Sequence, residues 1–390
     1  MRRNLLAAAC VALTTLAVAG VAAQGVSLTP NEQLGKLIFF DEKLSLNENQ
    51  SCASCHGPQA GWTGPDTAIN AYGAVYEGSI PGAFGDRKPP SSAYATQSPI
   101  LHVDRKGLFV GGNFWDGRAT GERLGNPAAD QAQGPFLNPM EQALSAPSDV
   151  VNKVCASTYA DLFKQVWGGG ACDPANVEQA YDQIALSIAA YEASPEVNAF
   201  TSKFDQTKTG KAKLTQQERR GWSLFRGKGK CANCHVANGQ KPLFTDYTFD
   251  NLGIPQNPEN PAGVDPAFVD HGLGGFLASR LDYAGYAADN MGKHKVPTMR
   301  NVDKRPSGLV KAYGHNGYFK TLDGIVHFYN TRDVKDTCPG AYTEAQALAA
   351  GCWPAPEVLD NVNNAELGDL GLTPDEEAAI VAFLKTLSDR

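Results

Sequence analysis

The chain has 390 residues, with 34 Lys+Arg against 41 Asp+Glu (formal net charge −7), 42% hydrophobic residues, 40 Gly and 24 Pro. That length suits two or three domains with cores of their own, and the apolar content excludes a disordered chain. The acidic balance offers no positive field to a phosphate backbone, which excludes a nucleic-acid partner.

Arg2 and Arg3 precede an apolar run from Leu5 to Ala23, and Val21-Ala22-Ala23 supplies the small residues of a cleavage site. Residues 1–23 therefore read as a secretory signal, which predicts a periplasmic protein with no membrane span after processing. An uncleaved anchor fits less well because the run is short, and cleavage as a lipoprotein at Cys10 fits less well still. Further on, Leu28-Thr29-Pro30-Asn31-Glu32, Leu214-Thr215-Gln216-Gln217-Glu218 and Leu372-Thr373-Pro374-Asp375-Glu376 each place Thr three residues before Glu. Each is a capping box, in which hydroxyl and carboxylate satisfy the free amides of a helix start. Between the first two boxes, Ala180, Ile184, Ile188 and Tyr191 mark one face of a helix over Val177–Ala193. The aperiodic polar stretch ending at Gly210–Lys213 marks the crossing between halves. Residues 57–135 and 237–295 are rich in Gly, Pro, Asn and Asp and carry no long periodic stretch, so they predict loops. The terminal segment repeats Ile380, Val381, Phe383, Leu384 and Leu387 at helical spacing.

Apart from Cys10, eight cysteines remain, and four of them lie in Cys52-Ala53-Ser54-Cys55-His56 and Cys231-Ala232-Asn233-Cys234-His235. Each is C-x-x-C-H, the attachment pattern of haem c: two thiols add to the vinyl groups and the next residue brings imidazole under the iron. A redox dithiol has no need of the trailing His twice, and no further pair stands at zinc spacing. The sequence thus predicts two covalently bound haem c groups, with His56 and His235 as proximal ligands. The fold that follows is mainly α, loop-rich and with little β. It consists of two c-type cytochrome domains, 24–209 and 210–390, packed with their haems near a shared interface. Cys155, Cys172, Cys338 and Cys352 are left over, and pairing of near neighbours predicts Cys155–Cys172 and Cys338–Cys352. Four cysteines admit three connectivities, so this pairing rests on proximity. Spacing alone does not select a further iron ligand from His102, His271, His294, His315 and His327.

Phe114-Trp115-Asp116-Gly117-Arg118-Ala119, Gln131-Ala132-Gln133-Gly134-Pro135, Asn138-Pro139-Met140-Glu141, Lys295-Val296-Pro297-Thr298-Met299-Arg300-Asn301-Val302 and Ile380–Leu387 follow in order along the chain. With both haem motifs in place, the sequence resembles the bacterial dihaem cytochrome c peroxidases and their MauG relatives. The resemblance implies an N-terminal haem that reacts with hydrogen peroxide. It makes Glu141 the acid–base residue above that haem, with Gln131 and Pro135 as its distal-pocket neighbours and Trp115 as the indole between the haems. It also implies that Arg118 meets a haem propionate, the alternative being a structural salt bridge. Peroxidases of this family can cap the first iron with a His some sixteen residues beyond the motif. Tyr72 stands there and no His occurs from Gly57 to Leu101, so the resemblance implies an open first haem of the MauG type, the competing reading being Tyr72 or Tyr76 at the iron.

For the second haem the family places the ligand fourteen residues after the His of Tyr313-Gly314-His315-Asn316-Gly317, and that residue is Tyr329. Met at this place favours ferrous iron, whereas a phenolate favours higher oxidation states. The competing readings are an aromatic core residue on a Leu322–Asn330 helix, with His327, Met299 or His315 as ligand instead. The family's inter-haem calcium ion implies a site from the Gln97 side chain, where the family has Asn, and the carbonyls of Val310 and Ala312. Gly229 stands where the methylamine-pathway enzyme carries a surface Trp; Trp222 lies farther away, and Arg226, Lys228 and Lys230 form a small basic patch. The leading expectation is a MauG-like enzyme that uses hydrogen peroxide to oxidise a partner protein. The others are a peroxidase fed by small cytochromes or cupredoxins, and a dihaem electron-transfer cytochrome without peroxide chemistry. The resemblance also implies a homodimer, the state of many relatives in the peroxidase branch.

Overall fold

A computed structural model describes residues 27–265 and 267–390; the expected signal segment lies outside them. The three capping boxes form as predicted. Thr29 Oγ1 accepts from the Glu32 amide at 3.3 Å while Glu32 accepts from the Thr29 amide at 2.6 Å. Thr215/Glu218 and Thr373/Glu376 repeat the arrangement. These boxes open helices Pro30–Phe39, Gln216–Arg226 and Pro374–Lys385. The long helix spans Val177–Ala193, with Ala180, Ile184, Ile188 and Tyr191 all buried. The expected little sheet is two short antiparallel ribbons, His102–Val103 with Phe109–Val110 and Phe249–Asp250 with His294–Lys295. Among the described residues no helix is long and apolar enough to cross a membrane.

Both halves are built on the same crossing. Pro30–Phe39 packs on Val177–Ala193, and a Cβ at Gly35 would stand 1.8 Å from the Ser187 carbonyl oxygen. Gln216–Arg226 packs on Pro374–Lys385, and a Cβ at Gly221 would stand 1.8 Å from the Ala379 carbonyl oxygen. Each glycine lies six residues after its capping Thr, so the duplicated design reaches the packing as well as the cap.

One core runs from Leu34 to Val197 and a second from Phe204 to Leu387. Phe204 therefore joins the second core from the N-terminal side of the expected crossing. A smaller cluster takes Leu101 and Phe109 from the first half and Phe249, Leu273 and Leu277 from the second. Polar ties reinforce it: Arg87 forks onto Asp270 with two bonds of 2.7 Å, and Tyr94 Oη donates to Asp389 at 2.6 Å. Both expected disulfides, Cys155–Cys172 and Cys338–Cys352, are formed.

The loop regions depart from expectation, and Thr67–Ala71 and Gly272–Ala278 are short helices within them. Pro127–Leu137 is a helix inside the predicted loop region. Asn126 Oδ1 caps it by accepting from the Ala128 and Ala129 amides at 2.9 and 3.4 Å. Its buried face is mostly alanine (Ala128, Ala129, Ala132) with Phe136, and Pro135 lies within it, so neither bulk nor the usual absence of proline signals a helix.

The crossings predict an inverted helix-propensity effect. In an exposed helix, Gly→Ala stabilises by about 1 kcal/mol. Gly35→Ala and Gly221→Ala are each expected to destabilise by about 1–3 kcal/mol through overpacking against a carbonyl, read as a lowered denaturation midpoint. An unchanged or raised midpoint contradicts the crossing.

Candidate active site

Cys52 and Cys55 occupy a one-turn helix, Cys52–Cys55, and His56 follows it. His56 Nδ1 lies 3.3 Å from the Trp62 carbonyl, which takes its proton and leaves Nε2 for the cavity. Cys231, Cys234 and His235 repeat this on a 3₁₀ turn, with His235 Nδ1 2.8 Å from the Phe244 carbonyl. Burial pushes His56 down to about 4 and lowers His235, so both imidazoles are neutral at ordinary pH, the form that ligates a metal.

His56 faces a cavity of two lobes, about 710 and 450 Å³, that share His56, Ser92, Gln131 and Glu192. The smaller lobe holds both thiols together with Gln131, Pro135 and Glu141. The Pro127–Leu137 helix thus carries Gln131 and Pro135 to the wall, and the turn after it carries Glu141. Asn138 Nδ2 donates to Glu141 Oε1 at 2.7 Å, and burial raises the carboxyl above its ordinary range despite that bond. A carboxyl so held can take a proton from one oxygen of a small ligand and return it to another.

The second cavity and its open mouth together span about 1660 Å³ of space not filled by protein atoms. Cys231, Cys234 and His235 lie on its wall with Tyr329, carried by the Leu322–Thr331 helix, and with Leu252, Ile325, Val326, Ile380 and Leu384. Burial, then the nearby Cys231, raises the Tyr329 phenol above its ordinary value. Met299 and His315 share that wall, whereas His327 is turned to Glu377 at 3.0 Å. Paired thiols and a carbonyl-fixed imidazole on the wall of each cavity fit a haem in each. His56 and His235 would hold the irons, and the four thiols the macrocycles.

Trp115 lines both cavities, is 9% exposed, and donates from Nε1 to the Lys88 carbonyl at 2.8 Å. The other expected groups have these surroundings. Arg118 pairs with Asp116 at 2.7 Å and lies 3.9 Å above the Phe114 ring, the salt-bridge alternative. Tyr72 is 65% exposed, and the Tyr76 hydroxyl bonds the Asp66 amide and Asn70. Of the calcium set, Gln97 is exposed, the Val310 carbonyl accepts from Asn70 at 2.9 Å, and Ala312 lies on the second cavity wall. The basic patch is engaged within the chain, Lys228 with Glu376 at 2.6 Å, Lys230 with the Ala365 carbonyl at 2.8 Å, and Arg226 above Trp222.

Sequence reasoning missed Glu192. It is 4% exposed, lines both lobes of the first cavity, and burial pushes its carboxyl up to about 8. A signal existed: Glu192 stands four residues after Ile188 on the apolar stripe of its helix. Also unforeseen is a stacked pair, His294 and His315, with ring centroids 3.5 Å apart beside Asp270.

Residues 29–213 match the family model described as di-haem cytochrome c peroxidase. The methylamine utilization protein MauG of Paracoccus denitrificans is 34% identical over 365 residues, covering 92% of this chain and 88% of that one. The cytochrome c551 peroxidase of Nitrosomonas europaea is 31% identical over 299 residues, 75% of this chain and 71% of that one. Among solved structures, the diheme peroxidase BthA from Burkholderia thailandensis superposes with a TM-score of 0.77 at 29% identity, covering 93% of this chain and 87% of that one.

Glu141→Gln keeps the shape and the Asn138 contact but removes the proton carrier. Reaction of the haem-loaded protein with hydrogen peroxide, followed by stopped-flow absorbance, is expected to slow by about 10²–10⁴-fold. A wild-type rate removes Glu141 from the chemistry.

Proposed function

This chain belongs to the di-haem cytochrome c peroxidase family, and we propose that within it the protein is a MauG-like oxidoreductase that uses hydrogen peroxide to withdraw electrons from a partner protein. The observation that carries this reading is Tyr329 on the wall of the second cavity with Cys231, Cys234 and His235. Hydrogen peroxide takes up two electrons and two protons to give two waters, and both electrons come from the partner. The haems, bound covalently through Cys52, Cys55, Cys231 and Cys234, supply the iron redox chemistry.

The protein's own groups do the rest. Glu141 accepts the first proton of peroxide and delivers it to the departing oxygen, with Asn138 fixing the carboxyl and Gln131 and Pro135 confining the ligand. The exposed Tyr72 and the hydrogen-bonded Tyr76 support a first haem without a protein cap. His56 and His235 keep their tautomers through the Trp62 and Phe244 carbonyls. Trp115 lies between the two cavities with its ring locked by Lys88, a placement suited to passing an electron from one side to the other. Tyr329, as an oxygen ligand, would favour the oxidised side of the second centre and so store oxidising power for a partner at a distance. The export signal at 1–23 supports a periplasmic setting.

One observation favours the second reading, a peroxidase fed by small redox proteins. Gly229 stands two residues before Cys231, and Trp222 is packed against Phe225 and Phe383 rather than displayed to a partner. The two readings separate on the resting protein. In the proposed function, the fully oxidised holoprotein reacts with one equivalent of hydrogen peroxide without prior reduction, and both haem absorption bands change. A requirement for half-reduction first, with rapid oxidation of added cytochrome c, establishes the peroxidase instead. Tyr329→Met is expected to move the second haem's midpoint potential upward in a spectroelectrochemical titration. An unmoved potential means that another residue ligates it.

A further inference from the structure

Three lysines line the second cavity, Lys295 the first as well, and among the described residues none of their ammonium groups has a carboxylate within ion-pair distance. Lys88 Nζ donates to Thr63 Oγ1 at 2.9 Å and the Pro89 carbonyl at 3.0 Å. Lys311 Nζ is held by the main-chain carbonyls of Ala60 at 2.9 Å, Asn301 at 2.6 Å and Lys304 at 3.3 Å. Lys295 Nζ donates to Ser98 Oγ and the Gly112 carbonyl. Lys88 and Lys311 are 7% and 5% exposed and line the second cavity; Lys295 lines both. Asp303, whose field reaches Lys311, is paired with Arg305 at 3.0 Å. The acids packed nearby are likewise engaged: Asp116 and Asp270 with Arg87.

Neutral oxygens solvate an ammonium but do not cancel its charge, and a buried uncompensated charge costs several kcal/mol. Burial accordingly pushes Lys88 down to about 8 and Lys295 to about 7 in the polypeptide alone. The missing anions have an evident source. A haem c has two thioether links on one edge and two carboxylates on the opposite edge. In the first cavity the thiols lie in one lobe, and Trp115, Tyr247 and Lys295 line the other. The carboxylate edge therefore faces the shared wall. The Tyr247 hydroxyl is buried there without a hydrogen-bond partner, a further donor aimed at such a group.

We propose that Lys88, Lys295 and Lys311 form a fixed cation cluster that receives the haem propionates across the wall between the cavities, in place of a divalent cation. Of the expected calcium set, Gln97 is exposed and the Val310 carbonyl already accepts from Asn70, and the residue between the two carbonyls, Lys311, gathers three other carbonyls around its own ammonium. The cluster ties each haem to both halves, because Lys295 and Tyr247 belong to the second half and reach the first haem's cavity. It also places positive charge beside both irons, which favours the reduced state of each.

The inference rests on both cavities holding haem, which a pyridine haemochrome assay counts independently of everything below: fewer than two haems defeats the di-haem reading, not the cluster. With the wild-type holoprotein, elemental analysis after dialysis is expected to find no stoichiometric calcium. Midpoint potentials of both haems are expected to stay fixed on adding EGTA or millimolar calcium chloride. Lys88→Gln and Lys311→Gln are each expected to shift at least one haem potential negative, and Lys88→Arg to restore it. Tightly held calcium whose removal moves the potentials overturns the proposal, as do folded, haem-replete Gln variants with wild-type potentials. Where a Gln variant does not fold, the wild-type calcium measurement still decides.

Discussion

Backbone pressed directly on backbone, at Gly35 over Ser187 and again at Gly221 over Ala379, is the contact from which both haem sites are laid out. With no side chain between the axes, each capped helix lies flush against its partner, and the partner's next turns meet the cavity. On one side that partner carries Ile188 and Glu192 to the first cavity. On the other it carries Ile380 and Leu384 to the second. The same helix fixes the second site's candidate ligand, because Glu377 takes bonds from His327 at 3.0 Å and from Asn330 at 2.5 Å and so holds the Leu322–Thr331 helix that bears Tyr329.

Duplicated architecture has been given two chemistries by what lines each volume. The first cavity holds two carboxyls, Glu141 and Glu192, whose pKa values burial raises, so it can hold and move protons. The second also takes Asp250 and Glu366, but adds a larger set of aliphatic side chains and two phenols, Tyr313 and Tyr329. Between them stands Trp115, its amide partners on both sides drawn from lysines: its indole bonds the Lys88 carbonyl and its own carbonyl accepts from the Lys295 amide at 2.8 Å.

The largest share of the fold was legible where local chemistry dictates geometry. Three Thr/Glu boxes, the Val177–Ala193 stripe and the four haem-motif thiols needed only neighbours in sequence. The Pro127–Leu137 helix was not legible, because alanines packed under a partner helix look like nothing in isolation and Pro135 argues against it. Nor was the fate of charged side chains. Lys228 and Lys230 read as free groups, yet each finds its partner far along the chain, at Glu376 and the Ala365 carbonyl, and sequence spacing carries no record of such partners.

From its own order of residues the chain determines two haem attachment points, a mainly helical duplicated frame and the near-neighbour disulfides, since each follows from groups a few bonds or one turn apart. Tertiary structure alone decided which carboxyls share a cavity, that Asn70 reaches the Val310 carbonyl, and that three lysines line the second cavity with no acid partner among the described residues. Burial and long-range Coulomb forces act through space, and only the folded arrangement specifies those distances.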